Sequence, residues 1–306
     1  MAYEYAAITA AHRRLYWSLP AGQLEKSVAD HARLGHELIP EIAASATATL
    51  ARAVAESALL AGRLEFFDLN HAGEAQANFV LALQAAHESS DALLGAAVLA
   101  HMAFIPAFSG EAIRAEEARE RLRAARAFAR RGDGNAEFTA WLDAVEAEVE
   151  TRFGDTRAAL SLIRHAENVY GTHDQNTTPS PEWMDWFSPT RLAGFKANTL
   201  ITTGHGREAL ATLEQVLREL PPESVKQRSV YLADAAAACA LEQRPEDACS
   251  YLEQALDATR KHWYATTVER VKTVRQTLRK WDSIPAVRAL DERLYDWHTT
   301  VNSVSL

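Results

Sequence analysis

Apolar positions recur along the chain at helical rather than strand spacing, and one phrase returns five times. A small or polar breaker is followed five residues later by Ala, then four later by a large apolar residue, then three later by another apolar or small one. It reads Asn70, Ala75, Phe79, Ala82; more weakly Gly110, Ala115, Arg119, Leu122; then Gly154, Ala159, Ile163, Ala166; Gly204, Ala209, Leu213, Val216; and Gln243, Ala248, Leu252, Ala255. At 3.6 residues per turn, positions four and seven beyond the Ala share its face. The small Ala lets a preceding helix come close, so each phrase predicts the second arm of a helical hairpin. Lone hairpins cannot bury their apolar faces, so successive copies must stack. The expected fold is all-α: one tetratricopeptide-like solenoid over residues 1–306, wound as a right-handed superhelix around an inner groove.

The phrase alanines lie 40, 44, 50 and 39 residues apart, against about 34 for the usual repeat of this class. The longest interval contains an inserted loop at about 171–189, where three prolines and a polar tract exclude a continuous helix. Upstream of the first phrase, Tyr5 to Leu19 and Gln23 to Ile39 form a helical pair broken at Pro20, with Leu24, Val28 and Ala32 on one stripe. Downstream, about 264–300 reads as a capping hairpin rich in Arg, Lys and Glu.

Composition supports helices over strands. Gly (13) and Pro (10) are sparse and alternating β-branched runs are missing. A formal charge of −9 opposes phosphate attraction, so direct nucleic-acid binding is not expected. The two cysteines, Cys239 and Cys249, match neither a metal site nor a disulfide framework, and read as small core residues. No apolar run has the roughly 18 residues of a membrane span, and the N-terminus lacks a signal-peptide pattern. A cytoplasmic protein is expected.

The order of several runs resembles a known family. Ala7-Ile8-Thr9, Arg13-Arg14-Leu15-Tyr16, Ala61-Gly62-Arg63-Leu64-Glu65-Phe66-Phe67-Asp68-Leu69 leading into Ala75, the Trp183-to-Phe187 segment and Val287-Arg288-Ala289-Leu290-Asp291-Glu292-Arg293-Leu294 are similar to the C-terminal tetratricopeptide region of actinobacterial Xre-type helix-turn-helix regulators. The resemblance implies a sensor region of a transcriptional regulator. In that family a DNA-binding domain precedes the repeats. Its absence here implies an excised sensor or a stand-alone relative, and speaks against a direct role on DNA. A homodimer is a further expectation from the resemblance, because regulators tend to match the two-fold symmetry of their operators.

In this repeat class the first arm of each hairpin faces the groove. Counting back from each Ala places Leu64, Phe67 and Asp68 inward, then His101, Phe104 and Phe108, then Trp141 and Glu148, then Arg191, Phe195 and Asn198, then Tyr231 and Asp234. Aromatic rings with dispersed polar groups suit a small amphipathic molecule or an extended peptide. Arg191 and Asn198 lie two turns apart on one face, where a guanidinium and an amide can hold a carboxylate or a peptide backbone. The plainer alternative pairs Arg191 with a neighbouring acid and packs Asn198 between helices. Trp183, Asp185, Trp186 and Phe187 form an aromatic cluster inside the insertion, readable as a lid over a ligand or as a plug between repeats.

The eleven histidines show no ligand spacing for a metal, and neither a Gly-rich phosphate loop nor a nucleophile elbow is present. No cofactor is expected. Were there catalysis, Asp185, His101 or Glu148 in a shielded groove would carry it. The charged stretch from Glu111 to Arg131 reads as a solvated face laced with local ion pairs. The leading expectation is a ligand- or peptide-binding sensor; the alternatives are a protein-interaction scaffold and an enzyme recruited from the sensor fold.

Overall fold

The computed structural model describes residues 1–304. They form fourteen α-helices and no strand: α1 (Ala2–Leu15), α2 (Ala21–Leu38), α3 (Ala44–Arg63), α4 (Ala72–Glu88), α5 (Ala92–Phe108), α6 (Ala115–Arg131), α7 (Ala136–Arg152), α8 (Thr156–Tyr170), α9 (Pro189–Thr202), α10 (Gly206–Glu219), α11 (Val225–Leu241), α12 (Pro245–Lys261), α13 (Ala265–Thr277) and α14 (Pro285–Val304). From α3 to α12 they pack as adjacent pairs, each odd-numbered helix against the even-numbered one that follows. No helix among the described residues is long and apolar enough to cross a membrane.

The recurring phrase is the hinge and seam of these pairs. Its breakers Asn70, Gly154, Gly204 and Gln243 have φ of 62, 79, 83 and 60°, the left-handed conformation that ends one helix and turns the chain back. The residues after them are buried on the second arms: Ala75, Phe79 and Ala82 on α4, Ala159, Ile163 and Ala166 on α8, Ala209, Leu213 and Val216 on α10, Ala248, Leu252 and Ala255 on α12. How closely the arms approach shows at Gly62, where a Cβ would lie 2.5 Å from the Phe79 ring. The weaker copy needs correction. A 3-10 turn at Ala112–Arg114 follows Gly110, so α6 enters three residues later and buries Ala118, Leu122 and Ala125, while Ala115 and Arg119 stay at its edge.

Consecutive first arms touch one another from α1 through α3, α5, α7, α9 and α11 to α13, forming one interior wall. That wall closes on itself. At the end of α3 the chain widens into a π-helical turn, Leu64–Leu69, before Asn70 reverses it. The turn carries Phe67 and Asp68 across the interior, where Asp68 pairs with Lys226 at 2.5 Å and the Thr266 hydroxyl donates to the Phe67 carbonyl at 2.8 Å. The expected open trough is therefore bridged, by residues nearly 200 positions apart. Phe67 packs against both large apolar clusters, one running from Ala2 to Phe195 and the other from Ala197 to Leu290.

The expected capping hairpin also departs from its design. Helix α13 packs on α11 and against the π turn, so it belongs to the interior wall; α14 rests on α12 and is tied to α13 through Arg275, which donates to both Asp291 carboxylate oxygens at 2.5 and 2.6 Å. The insertion folds back onto the array. Asn135 Nδ2 holds it by donating to the Thr178 carbonyl (3.1 Å) and Ser180 Oγ (2.8 Å), Ser180 bonds Glu137, and Ser188 caps α9, which starts at Pro189.

Candidate functional site

Where the first arms converge, the interior keeps a cavity of about 50 Å³ lined by aromatic and charged side chains from both ends of the chain. Phe67, Phe104, Trp141, Trp186 and Phe195 supply apolar walls, and Tyr16 and Tyr264 add hydroxyl-bearing rings. The rings meet edge to face, Phe67 with Phe104 at 5.3 Å and His101 with Trp186 at 5.5 Å between centroids, as the ring quadrupole favours. A smaller void of about 30 Å³ adjoins it, sharing Glu148, Arg191 and Phe195 and adding Asn198, Tyr231 and Asp234. Beyond Phe67 lies an outer chamber of about 410 Å³, walled by Phe66, Ile105, Phe108, Arg152, Thr266 and Arg270 among others.

Helix α9 reaches this centre because Gly194 lets it press on α11. A Cβ there would sit 2.5 Å from the Tyr231 ring. One turn earlier on α9, Arg191 enters both voids. The Tyr231 hydroxyl donates to the Thr190 carbonyl at 3.2 Å, which fixes the ring beside that guanidinium.

Buried charges surround the cavity, and most are paired. Asp68 receives Lys226 and, at 3.1 Å, the Tyr16 hydroxyl. Burial raises its pKa against the pull of Lys226, and burial likewise lowers that of Lys226, so loss of hydration offsets part of the attraction within the pair. Arg270 pairs with Asp234 and lies 3.8 Å from Glu148, which Arg152 approaches to 3.7 Å. Arg13 pairs with Glu56 and reaches Asp185 at 3.7 Å; burial raises the pKa of Asp185 and lifts Glu56 to about 7.

Two guanidiniums are different. Among the described residues no carboxylate lies within 4 Å of Arg63 or Arg191. Arg63, 8% exposed, lies over the rings of Trp186 (4.7 Å) and Tyr16 (5.0 Å), and Arg191 over Phe195 (5.5 Å). Three buried polar atoms at the voids also lack partners, Trp186 Nε1, Asn198 Nδ2 and Asp234 Oδ2. His101 Nδ1 donates to the Ala97 carbonyl at 2.8 Å, which leaves Nε2 as the acceptor. Burial, with Arg63 and Arg191 adding to it, lowers the His101 pKa to about 3, so the ring is neutral at physiological pH. The arrangement offers excess hydrogen-bond donors with positive charge inside an aromatic shell.

Eight of the residues singled out in the sequence line the inner cavity: Phe67, His101, Phe104, Trp141, Glu148, Trp186, Arg191 and Phe195. Asn198 and Tyr231 line the adjoining void, and Phe108 lies at the outer chamber with Arg152 stacked on its ring at 3.9 Å. The aromatic cluster divides. Trp186 is a wall of the cavity, Trp183 stacks behind it at 5.5 Å and meets Phe138, and Phe187 turns away to Tyr170. Asp185 faces Arg13, not the cavity. The alternative pairing of Arg191 with an acid is not what the structure has, and Asn198 Nδ2 also lacks a partner. Tyr16, Arg63, Lys226, Tyr264 and Arg270 were not singled out; the visible signal was Arg63, a lone cation within the apolar run from Leu59 to Leu64.

Among the described residues no cluster of three or more His, Cys, Asp or Glu has the arrangement of a metal site. No protein-family model matches the chain, and no curated protein matches it in sequence.

Proposed function

We propose that this protein is a ligand-sensing module: a tetratricopeptide-type right-handed superhelix, akin to the sensor regions of actinobacterial Xre-type transcriptional regulators, that binds a small molecule in its closed interior. One observation carries the reading. The cavity walls come from α3, α5, α7, α9, α11 and the residue preceding α13, and the π turn crosses between the two ends at the same place. A molecule held there touches both halves of the array, so its affinity depends on how far the superhelix is wound. Differential affinity for two curvatures is what lets a ligand shift a conformational equilibrium, and a decisive switch takes a few kcal/mol of it.

The bridged interior favours a small molecule over an extended peptide, because the Asp68–Lys226 and Phe67–Thr266 contacts interrupt any continuous groove. The test is a thermal-shift screen of metabolites and short peptides, followed by hydrogen exchange on each hit. The reading expects a small molecule that protects both the 64–69 turn and α13 from exchange. Stabilisation by peptides alone, with protection elsewhere, would establish the interaction-scaffold alternative, and turnover of a bound compound the enzyme alternative.

A further inference from the structure

We infer that the inner cavity takes the carboxylate of a small organic acid, with Arg191 as its anchor and Arg63 and the Trp186 indole N–H as flanking donors. The inference rests on the interior being a ligand site and adds the charge and chemical class of the ligand.

Charge bookkeeping around the cavity leads to Arg191. Lys226 is matched by Asp68, Arg270 by Asp234, and Arg152 with Arg270 by Glu148. Asp185, whose charge acts on Arg63 from beyond 4 Å, is already met by Arg13. Glu148 acts on Arg191 only from beyond 4 Å and is already shared by Arg152 and Arg270, so Arg191 has no carboxylate of its own, and a buried guanidinium without a paired anion is unfavourable. The second observation is independent of charge. Trp186 is 6% exposed, lines the same cavity, and its Nε1–H has no acceptor. An anion supplies what both lack, and a carboxylate matches the planar fork of a guanidinium with two parallel hydrogen bonds.

The walls argue for an organic acid over an inorganic oxyanion. Phe67, Phe104, Trp141 and Phe195 would lie against carbon. The inner void of about 50 Å³ has room for a head group and little more, whereas the chamber of about 410 Å³ on the other side of Phe67 has room for a ring or short chain. Phe67 thus separates a head-group pocket from a body pocket, and its swing would join them.

The experiment compares sodium phenylacetate, its uncharged isostere phenylacetamide and inorganic phosphate, at matched ionic strength, on the thermal midpoint of the wild-type chain. Phenylacetate is expected to raise the midpoint by at least about 2 °C at saturation, and the other two to leave it unchanged. Arg191→Met should abolish that shift while raising the midpoint of the ligand-free protein, since it removes the unmatched charge. Arg191→Lys, which keeps the charge and loses the fork, should weaken phenylacetate binding at least tenfold. Equal shifts from the amide would overturn the anion assignment and leave the interior ligand site standing. Equal shifts from phosphate would overturn the organic acid. No shift from any of the three, with Arg191→Met less stable than wild type, would make Arg191 a structural residue and sink the inference.

Discussion

Replacing Lys226 by Met removes the ammonium that bridges α11 to the π turn and leaves the Asp68 carboxylate, fully buried, with the Tyr16 hydroxyl as its remaining hydrogen-bond donor. Breaking a buried pair from one side costs about 3–5 kcal/mol, because the surviving charge stays desolvated. The Met side chain fills much of the Lys volume, so the packing loss is small beside that. Asp68→Asn in the same background removes the stranded charge and keeps an acceptor for Tyr16, and the double variant should regain most of the deficit. The pH dependence has a definite sign. Burial already raises the Asp68 pKa above its unfolded value, and losing Lys226 raises it further, so the penalty is full above that folded pKa and fades as pH falls and the carboxyl takes up a proton. Urea unfolding of the four members of the cycle at pH 7.5 and pH 5 measures this. A Lys226→Met deficit under about 1 kcal/mol, or one that does not shrink at the lower pH, would mean that the bridge does not hold the two ends together.

Three further outcomes are expected. Gln243→Gly relieves a side-chain residue from φ of 60° at the turn between α11 and α12, and should stabilise by about 1 kcal/mol, read as a rise in the urea midpoint at constant m-value. Trp183→Ala, which empties a site only 5% exposed against Phe138 and Trp186, should destabilise by about 3–5 kcal/mol in calorimetry, whereas Phe108→Ala at the rim should cost less than about 1 kcal/mol. Burial holds the folded-state pKa of His101 at about 3 and that of His31 at about 4, below the unfolded value near 6.5; their neutral forms therefore stabilise fully above that value, and stability falls as pH drops from 6.5 towards 4. At pH 5 the His101 contribution lost is about 2 kcal/mol, so His101→Phe should flatten the acid limb of the pH–stability curve, and an unchanged limb would count against a neutral buried imidazole.

The hairpins were legible because their signal is local. Breaker, small residue and two apolar positions lie within a dozen residues, and each has one physical cause, a left-handed turn or a close helix contact. The one slipped copy shows the limit of that locality: Gly110 marks the turn correctly, but the 3-10 turn after it delays α6, and position alone does not reveal the delay. The inward-facing list also followed from local periodicity, which is why Phe104, Trp141, Arg191 and Asn198 converge. The closure had no such signature. It depends on an extra residue's worth of winding at the end of α3, which rotates Phe67 and Asp68 to meet Lys226 and Thr266, and a pairing across 158 positions leaves no periodic trace. Lys226 stands outside every repeated phrase, and Tyr264 read as the edge of a cap. The site depends on that closure, since Tyr16, Lys226 and Tyr264 join the inner residues around one cavity only when the two ends meet. Local periodicity therefore identifies the wall of the chamber, and a long-range ion pair decides that the wall encloses anything.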